Sequence, residues 1–273
     1  MKTISIFKIS YIFLAGALLL SGCATDVMTG KSTMAFVPNS QINSAAAEQY
    51  ATVLKDSKVV KGTPDAIMLD RVGWKLVAAA EKWVTAQGSP NHFKDYQWSF
   101  ALIQDDSINA WAMPGGRIAF YTGILPVTKN EAGIAVVMGH EIAHAILNHG
   151  QQRMSADMIQ QGGLLGTQIL LGTTGMSKKT QELSMTAAGA GTSILGTLPF
   201  SRKHEDEADY LGLVLMTIAG YDPHEAPKLW ERMNALGGSS GPAWLSTHPS
   251  HEGRIKNLRD SIPKAQATAA QLR

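Results

Sequence analysis

The amino-acid sequence predicts an α+β fold, mainly helical, with one small and mostly antiparallel sheet. Apolar residues return at a spacing of three and four over several long stretches, the signature of helices with one buried face. Between Tyr96 and Tyr121 that period gives way to short runs of β-branched and aromatic residues broken by turn signals. The residues His140-Glu141-Ile142-Ala143-His144 then place two imidazoles one turn apart on a further helical stretch. At 273 residues, with 45% hydrophobic and 17% charged side chains, the chain can bury a substantial core. A net charge of +2 gives no electrostatic reason to expect a nucleic acid, and none is expected as a partner.

At the N-terminus, Lys2 and Lys8 flank the start of an apolar run from Ile9 to Leu20, which ends in Leu20-Ser21-Gly22-Cys23. A basic flank, a short apolar stretch and small residues describe a secretory signal peptide over 1–22, too short for a comfortable membrane span. Leu-Ser-Gly-Cys also resembles the bacterial lipobox, whose cysteine becomes the lipidated first residue of the mature protein; the alternative is a plain signal peptide. Cys23 is the only cysteine, so an oxidising compartment offers it no disulfide partner within the chain. A lipid anchor accounts for a sole cysteine at this position. By the sorting convention of Gram-negative lipoproteins, Ala24 after the cysteine points to the outer membrane, facing the periplasm. Residues 23–39, small and polar without a sustained period, are expected to be a tether.

One domain is expected over 40–262. Ser40 caps a helix to about Lys55, and Thr63-Pro64 opens a second that runs to near Gln87. Its buried face is expected to hold Ile67, Val72, Leu76, Ala80, Trp83 and Val84, with Trp74 and Trp83 as packing residues. Tyr96–Ile103, Ile108–Met113 and Arg117–Tyr121 read as strands, separated by Asp105-Asp106 and Pro114-Gly115-Gly116. Asn130 caps the HExxH helix, apolar at Ile134, Val137, Met138 and Ile142 and closed by Asn148-His149-Gly150. Residues 155–200 are rich in glycine and poor in charge, which fits either two buried helices broken by glycine or a mobile lid over a cleft. Helices are then expected over Arg202–Ala219, Pro223–Leu236 and Glu252–Ser261, followed by a frayed tail over 263–273.

The chemistry lies in HExxH. Two histidines four apart on a helix stand about 40° apart around its axis, so both can reach one zinc ion at about 2.0–2.1 Å. Glu141, beside the first, is placed to take a proton from a water that the metal activates. Chance alone gives HExxH in roughly one chain in a hundred of this length, so the motif needs a third ligand. The three-histidine extension is absent: Leu147 and Gly150 stand where its glycine and histidine belong. Downstream, His204-Glu205-Asp206-Glu207-Ala208-Asp209 offers Glu205 and Asp209 on one helix face, one able to bind metal and the other to accept the free N–H of a ligating imidazole. Acidic residues at a helix N-terminus also have a plainer cause in the helix dipole.

HExxH followed by Ser201-Arg202-x-x-Glu205-x-Glu207-Ala208-Asp209 resembles the M48 family of zinc metallopeptidases, in particular its bacterial envelope lipoproteins and the related mitochondrial inner-membrane branch. The resemblance covers about residues 40–262 and includes Asn109-Ala-Trp-Ala-Met-Pro-Gly-Gly, Tyr121-Thr-Gly and Ser246-Thr-His-Pro. It implies a zincin-like (gluzincin) domain with one Zn2+ per chain, held by His140, His144 and Glu205. Glu141 is implied as general base and Asp209 as the residue that orients a ligand histidine. His248 is implied as a reversible fourth ligand or transition-state donor, and Arg254 as an oxyanion-stabilising arginine. His92, His149, His204, His224 and His251 match no family role and read as surface or helix-end residues.

The expected reaction is hydrolysis of peptide bonds in extended or misfolded envelope polypeptides. Substrate would lie along Asn109, Ala110, Trp111 and Ala112 and add to the sheet. An assembly factor or chaperone that uses the same cleft and rarely cuts is the alternative. A structural lipoprotein with a relic site is the weaker third reading, because every catalytic position is intact. Oligomeric state is not legible.

Overall fold

The computed structural model describes residues 23–25, 30, 32–34, 39–156, 200–236, 242–249 and 253–272. The expected signal peptide, residues 157–199 of the candidate lid, and His251 lie outside the described residues. The segment expected to be a bare tether contains a hairpin, β1 (Cys23–Thr25) paired antiparallel with β2 (Ser32–Met34).

Helix α1 (Asn39–Asp56) starts one residue ahead of Ser40 and buries Ile42, Ala46 and Tyr50. After β3 (Val59–Val60), α2 (Pro64–Ala86) begins with the Thr63 side chain accepting from the Ala66 N–H at 3.3 Å, with proline in the first turn. Its buried stripe includes Val72, Leu76, Ala80, Trp83 and Val84, but Ile67 and Trp74 are exposed. Trp74 packs edge-on against Phe100, with ring centroids 5.7 Å apart.

Strands β4 (Ser99–Ile103), β5 (Ala110–Met113) and β6 (Arg117–Tyr121) join β3 in a sheet of order β3-β4-β6-β5. Gly115 and Gly116, at φ of 80° and 86°, supply the left-handed residues of the tight β5–β6 turn. The β3–β4 and β5–β6 pairings are antiparallel, whereas β4–β6 is parallel because the returning strand β6 inserts between β4 and β5. That insertion leaves β5 on the edge. The first strand is shorter than expected: Tyr96 lies ahead of β4, and its hydroxyl donates to the Ala145 carbonyl at 2.9 Å.

A 3-10 turn (Thr122–Ile124) and the short α3 (Leu125–Thr128) lead to α4 (Glu131–Ile146). The Asn130 side chain caps α4 by accepting from Gly133 N–H at 2.9 Å. Every residue of α4 from Gly133 to His144 is buried, more than its apolar face alone suggests, because α4 is the central helix of the domain. The helix stops at Leu147, Asn148 turns the chain with φ 54°, and helix α5 follows over 149–156.

Helix α6 (Arg202–Ile218), capped by Ser201 accepting from His204 N–H at 3.2 Å, packs along α4. Gly139 and Gly212 make the crossing close. A Cβ built on Gly212 would meet the His140 backbone nitrogen at 3.1 Å, and one on Gly139 would meet the Gly212 carbonyl oxygen at 3.1 Å. Both contacts are with backbone and tighter than ordinary Cβ contacts, so a side chain at either position would push the helices apart by a few tenths of an ångström. The close crossing brings the first turns of α6 against the HExxH segment.

Helices α7 (Glu225–Ala235), α8 (Trp244–Thr247) and α9 (Arg254–Ala270) complete the fold. The tail expected to fray is instead the second half of α9, which continues through Pro263. Alanine-rich sequence favours helix, and Ala265 and Ala269 are fully buried while Thr268 and Lys264 pack on Tyr210 of α6.

Candidate metal centre

His140 and His144 project from α4, and Glu205 comes from the first turn of α6, where the helix dipole favours a carboxylate. His248 follows the short α8. These four buried residues bring one donor atom each to a common point. His140 Nε2 lies 3.0 Å from His144 Nε2 and 3.1 Å from His248 Nδ1. Glu205 lies 3.5 Å from His140 Nε2, 3.3 Å from His144 Nε2 and 3.1 Å from His248 Nδ1. Donors about 2.0–2.1 Å from a tetrahedral zinc stand about 3.3–3.4 Å from one another, so these separations match the edges of such a site. Three imidazole nitrogens and a carboxylate form a donor set that zinc accepts. The residues therefore fit one zinc ion.

The buried charges support the ligands. Asp209 Oδ1 stands 3.0 Å from His140 Nδ1, an acceptor for a proton on that nitrogen that would leave Nε2 to hold a metal. Burial opposes a charged His140, but Glu205 and Asp209 more than reverse this and lift its pKa to about 9. His144 moves the other way, well below the ordinary value, chiefly through burial. Burial would raise Glu205 and Asp209, yet both carboxyls are held below their usual range, Glu205 chiefly by His140 and Asp209 chiefly by Arg254.

Arg254 requires a correction. The resemblance implied an arginine aimed at the oxyanion, but the side chain is 1% exposed and lies behind the ligands. Its Nε and Nη2 donate to Asp209 at 2.8 Å, and its Nη1 donates to Glu205 Oε2 at 2.7 Å and to the Pro249 carbonyl at 3.2 Å. The guanidinium also lies over Trp230, 3.5 Å from the ring centre. With its donors committed to two carboxylates, Arg254 fixes the ligand carboxylate and does not face the cleft.

Glu141 is buried beside the donors. Trp244 Nε1 donates to its Oε1 at 2.9 Å, and His248 Nε2 lies 3.4 Å from the same oxygen. Trp244 in turn stacks on Trp230 at 5.1 Å. Trp244 was not singled out from the sequence, because nothing in its spacing links it to Glu141. Phe200 was also missed: its ring stacks on His144 at 4.0 Å, and its N–H donates to the Thr247 carbonyl at 3.0 Å. His149, read as a helix-end surface residue, is fully buried, with Nδ1 2.9 Å from His144 Nδ1. His204 is half-buried and stacks on His149 at 4.3 Å.

The expected substrate strand lies on the edge of the sheet. Ala110, Trp111 and Ala112 lie in β5, and the carbonyl of Asn109 just before it accepts from Tyr121 N–H at 3.0 Å. A groove bounded by Ala112, Met113 and Pro114 on one side reaches His144 and Phe200 on the other.

A helical domain with an HExxH helix crossed by a second, acid-bearing helix defines the class: a gluzincin-type metallopeptidase centre. The chain belongs to peptidase family M48, whose family model matches residues 76–262. It is 40% identical over 174 residues to the mitochondrial metalloendopeptidase OMA1 of Schizosaccharomyces pombe, 63% of this chain and 49% of that protein. The beta-barrel assembly-enhancing protease of Escherichia coli K12 is 31% identical over 210 residues, 74% of this chain and 40% of its own length. The mitochondrial metalloendopeptidase OMA1 of Danio rerio matches 93% of this chain at 26% identity and is covered over 53% of its length. The chain thus spans about half of the length of these relatives, or less.

Proposed function

We propose that this protein is a zinc metalloendopeptidase of the bacterial cell envelope that cuts extended or misfolded envelope polypeptides. The observation that carries the reading is the convergence of His140, His144, Glu205 and His248 on one point, with Glu141 buried beside them. A bound zinc ion would supply Lewis acidity toward a carbonyl and make a water acidic near neutral pH. Glu141 takes the proton from the attacking water and delivers it to the leaving amine. Trp244 holds the Glu141 carboxylate in place through Oε1, and His248 Nε2 lies 3.4 Å from the same oxygen. Arg254 and Asp209 keep Glu205 and His140 aimed at the metal.

The edge position of β5 supports binding of an extended segment by strand addition, which selects for unfolded chain more than for sequence. The lipobox-like Leu20-Ser21-Gly22-Cys23 supports attachment through a lipid at Cys23, with Ala24 favouring the outer membrane on its periplasmic side. Relatives named as a beta-barrel assembly-enhancing protease and as mitochondrial metalloendopeptidases support quality control at a membrane.

A second reading is favoured by one observation. His248 supplies a fourth donor, and His140, His144, Glu205 and His248 are all below 5% exposed. A site so closed suits an assembly factor that binds clients in the cleft and cuts rarely. Glu141→Gln separates the two. A protease loses cleavage of an unfolded polypeptide and its cellular phenotype together, whereas an assembly factor keeps the phenotype. Replacing Cys23 with Ala tests the anchor, which requires the protein to leave the membrane fraction.

A further inference from the structure

The second glutamate of the acidic motif, Glu207, and the buried His149 have no part in the chemistry above, yet they meet behind a ligand. His149 Nδ1 lies 2.9 Å from His144 Nδ1, and His149 Nε2 lies 3.3 Å from Glu207 Oε2. His149 is fully buried, and the partly buried Glu207 closes the chain, 3.5 Å from the exposed Lys203. Five residues apart on one continuous helix, His144 and His149 would point about 140° away from each other. The break at Leu147 and Asn148, the latter at φ 54°, turns His149 back onto His144.

We propose that His149 and Glu207 are positioning residues for the metal, an outer carboxylate–histidine pair that fixes the tautomer of the ligand His144. The inference rests on the zinc reading above. Two ring nitrogens at 2.9 Å share one proton between them. His144 binds metal only with its lone pair on Nε2, so its proton is on Nδ1 and His149 Nδ1 is the acceptor. His149 then carries its own proton on Nε2, the nitrogen facing Glu207. The opposite assignment would put a proton on His144 Nε2, inside the donor cluster, and remove the ligand. Glu207, able only to accept when ionised, selects the productive arrangement. His140 is oriented by Asp209 directly; His144 is oriented by Glu207 through one more imidazole.

The test is zinc affinity of the purified full chain, measured by competition with a chromophoric chelator, with melting of the metal-free protein beside it. His149→Phe keeps the ring volume and the stack on His204 but loses the acceptor. It should weaken zinc binding about 10–100-fold with little change in metal-free melting. His149→Gln, whose amide oxygen can accept, should recover part of that loss. Glu207→Ala should weaken binding about tenfold and carries the test if the His149 variants fail to fold. Nitrogen-15 NMR of the zinc-loaded protein should show His149 with its proton on Nε2. Equal zinc affinity in His149→Phe or Glu207→Ala and the wild type, or an Nδ1–H tautomer of His149, overturns the proposal while leaving the zinc site intact. A wild-type protein that takes up no zinc overturns the zinc reading itself.

Discussion

At the scale of the residue, each side chain at the centre is held by a second one, and the partners set what substitution should do. Glu141→Gln keeps the shape and loses the base, so hydrolysis should fall by about 10²–10⁴ while zinc content is unchanged. Trp244→Phe keeps most of the stacked surface on Trp230 but removes the N–H that orients Glu141. Its kcat should drop with KM and zinc content nearly constant; a change in KM alone would show that Trp244 contacts substrate instead. Legibility differed sharply among these residues. His140 and His144 were readable because helix geometry turns their spacing into a shared face. Spacing left Glu205 and Asp209 interchangeable, and only the family resemblance chose between them. Trp244, Phe200 and His149 were not readable, because the first two reach the centre from distant segments and the third depends on a helix break that reverses its direction.

At the scale of the element, the centre depends on how closely α4 and α6 cross. Gly212→Ala places a Cβ 3.1 Å from the His140 backbone nitrogen, so the two helices must separate by a few tenths of an ångström at the metal centre. We expect a loss of about 1–3 kcal/mol in stability, read by denaturant unfolding, together with weaker zinc binding. Arg254→Ala leaves Asp209 and Glu205 buried with His140 alone to balance two carboxylates, which should cost about 3–5 kcal/mol in the metal-free protein. Arg254→Lys should recover little, since one ammonium cannot serve both carboxylates at once. Among the elements, the capping residues Thr63 and Asn130 could be read directly, because a cap is local chemistry. The parallel β4–β6 pairing could not, since strand order is decided by how the whole layer packs. The end of α9 was misread for the same reason: its alanines look solvent-exposed until α6 is placed against them.

At the scale of the molecule, the metal couples folding to pH. In the metal-free protein, the His140 pKa is raised to about 9, so its contribution is full below about pH 6.5 and is lost as pH rises through 9. His144, buried and neutral, has its pKa lowered, so stability also declines as pH falls below about 6.5. The metal-free protein should therefore be most stable near pH 6.5. Zinc displaces the His140 proton, so the rise in melting temperature on adding zinc should grow from pH 6.5 to 9. Calorimetry with and without zinc across that range checks both statements; a zinc increment that shrinks with pH would contradict them.

Metal content of the purified protein tests the central claim most directly. The expected result is one zinc per chain in the wild type, falling to near zero in His140→Ala and Glu205→Ala and staying at one in Glu141→Gln. A wild-type protein without zinc, or zinc that persists when His140 and Glu205 are both replaced, would contradict the assignment of these residues to a single metal centre.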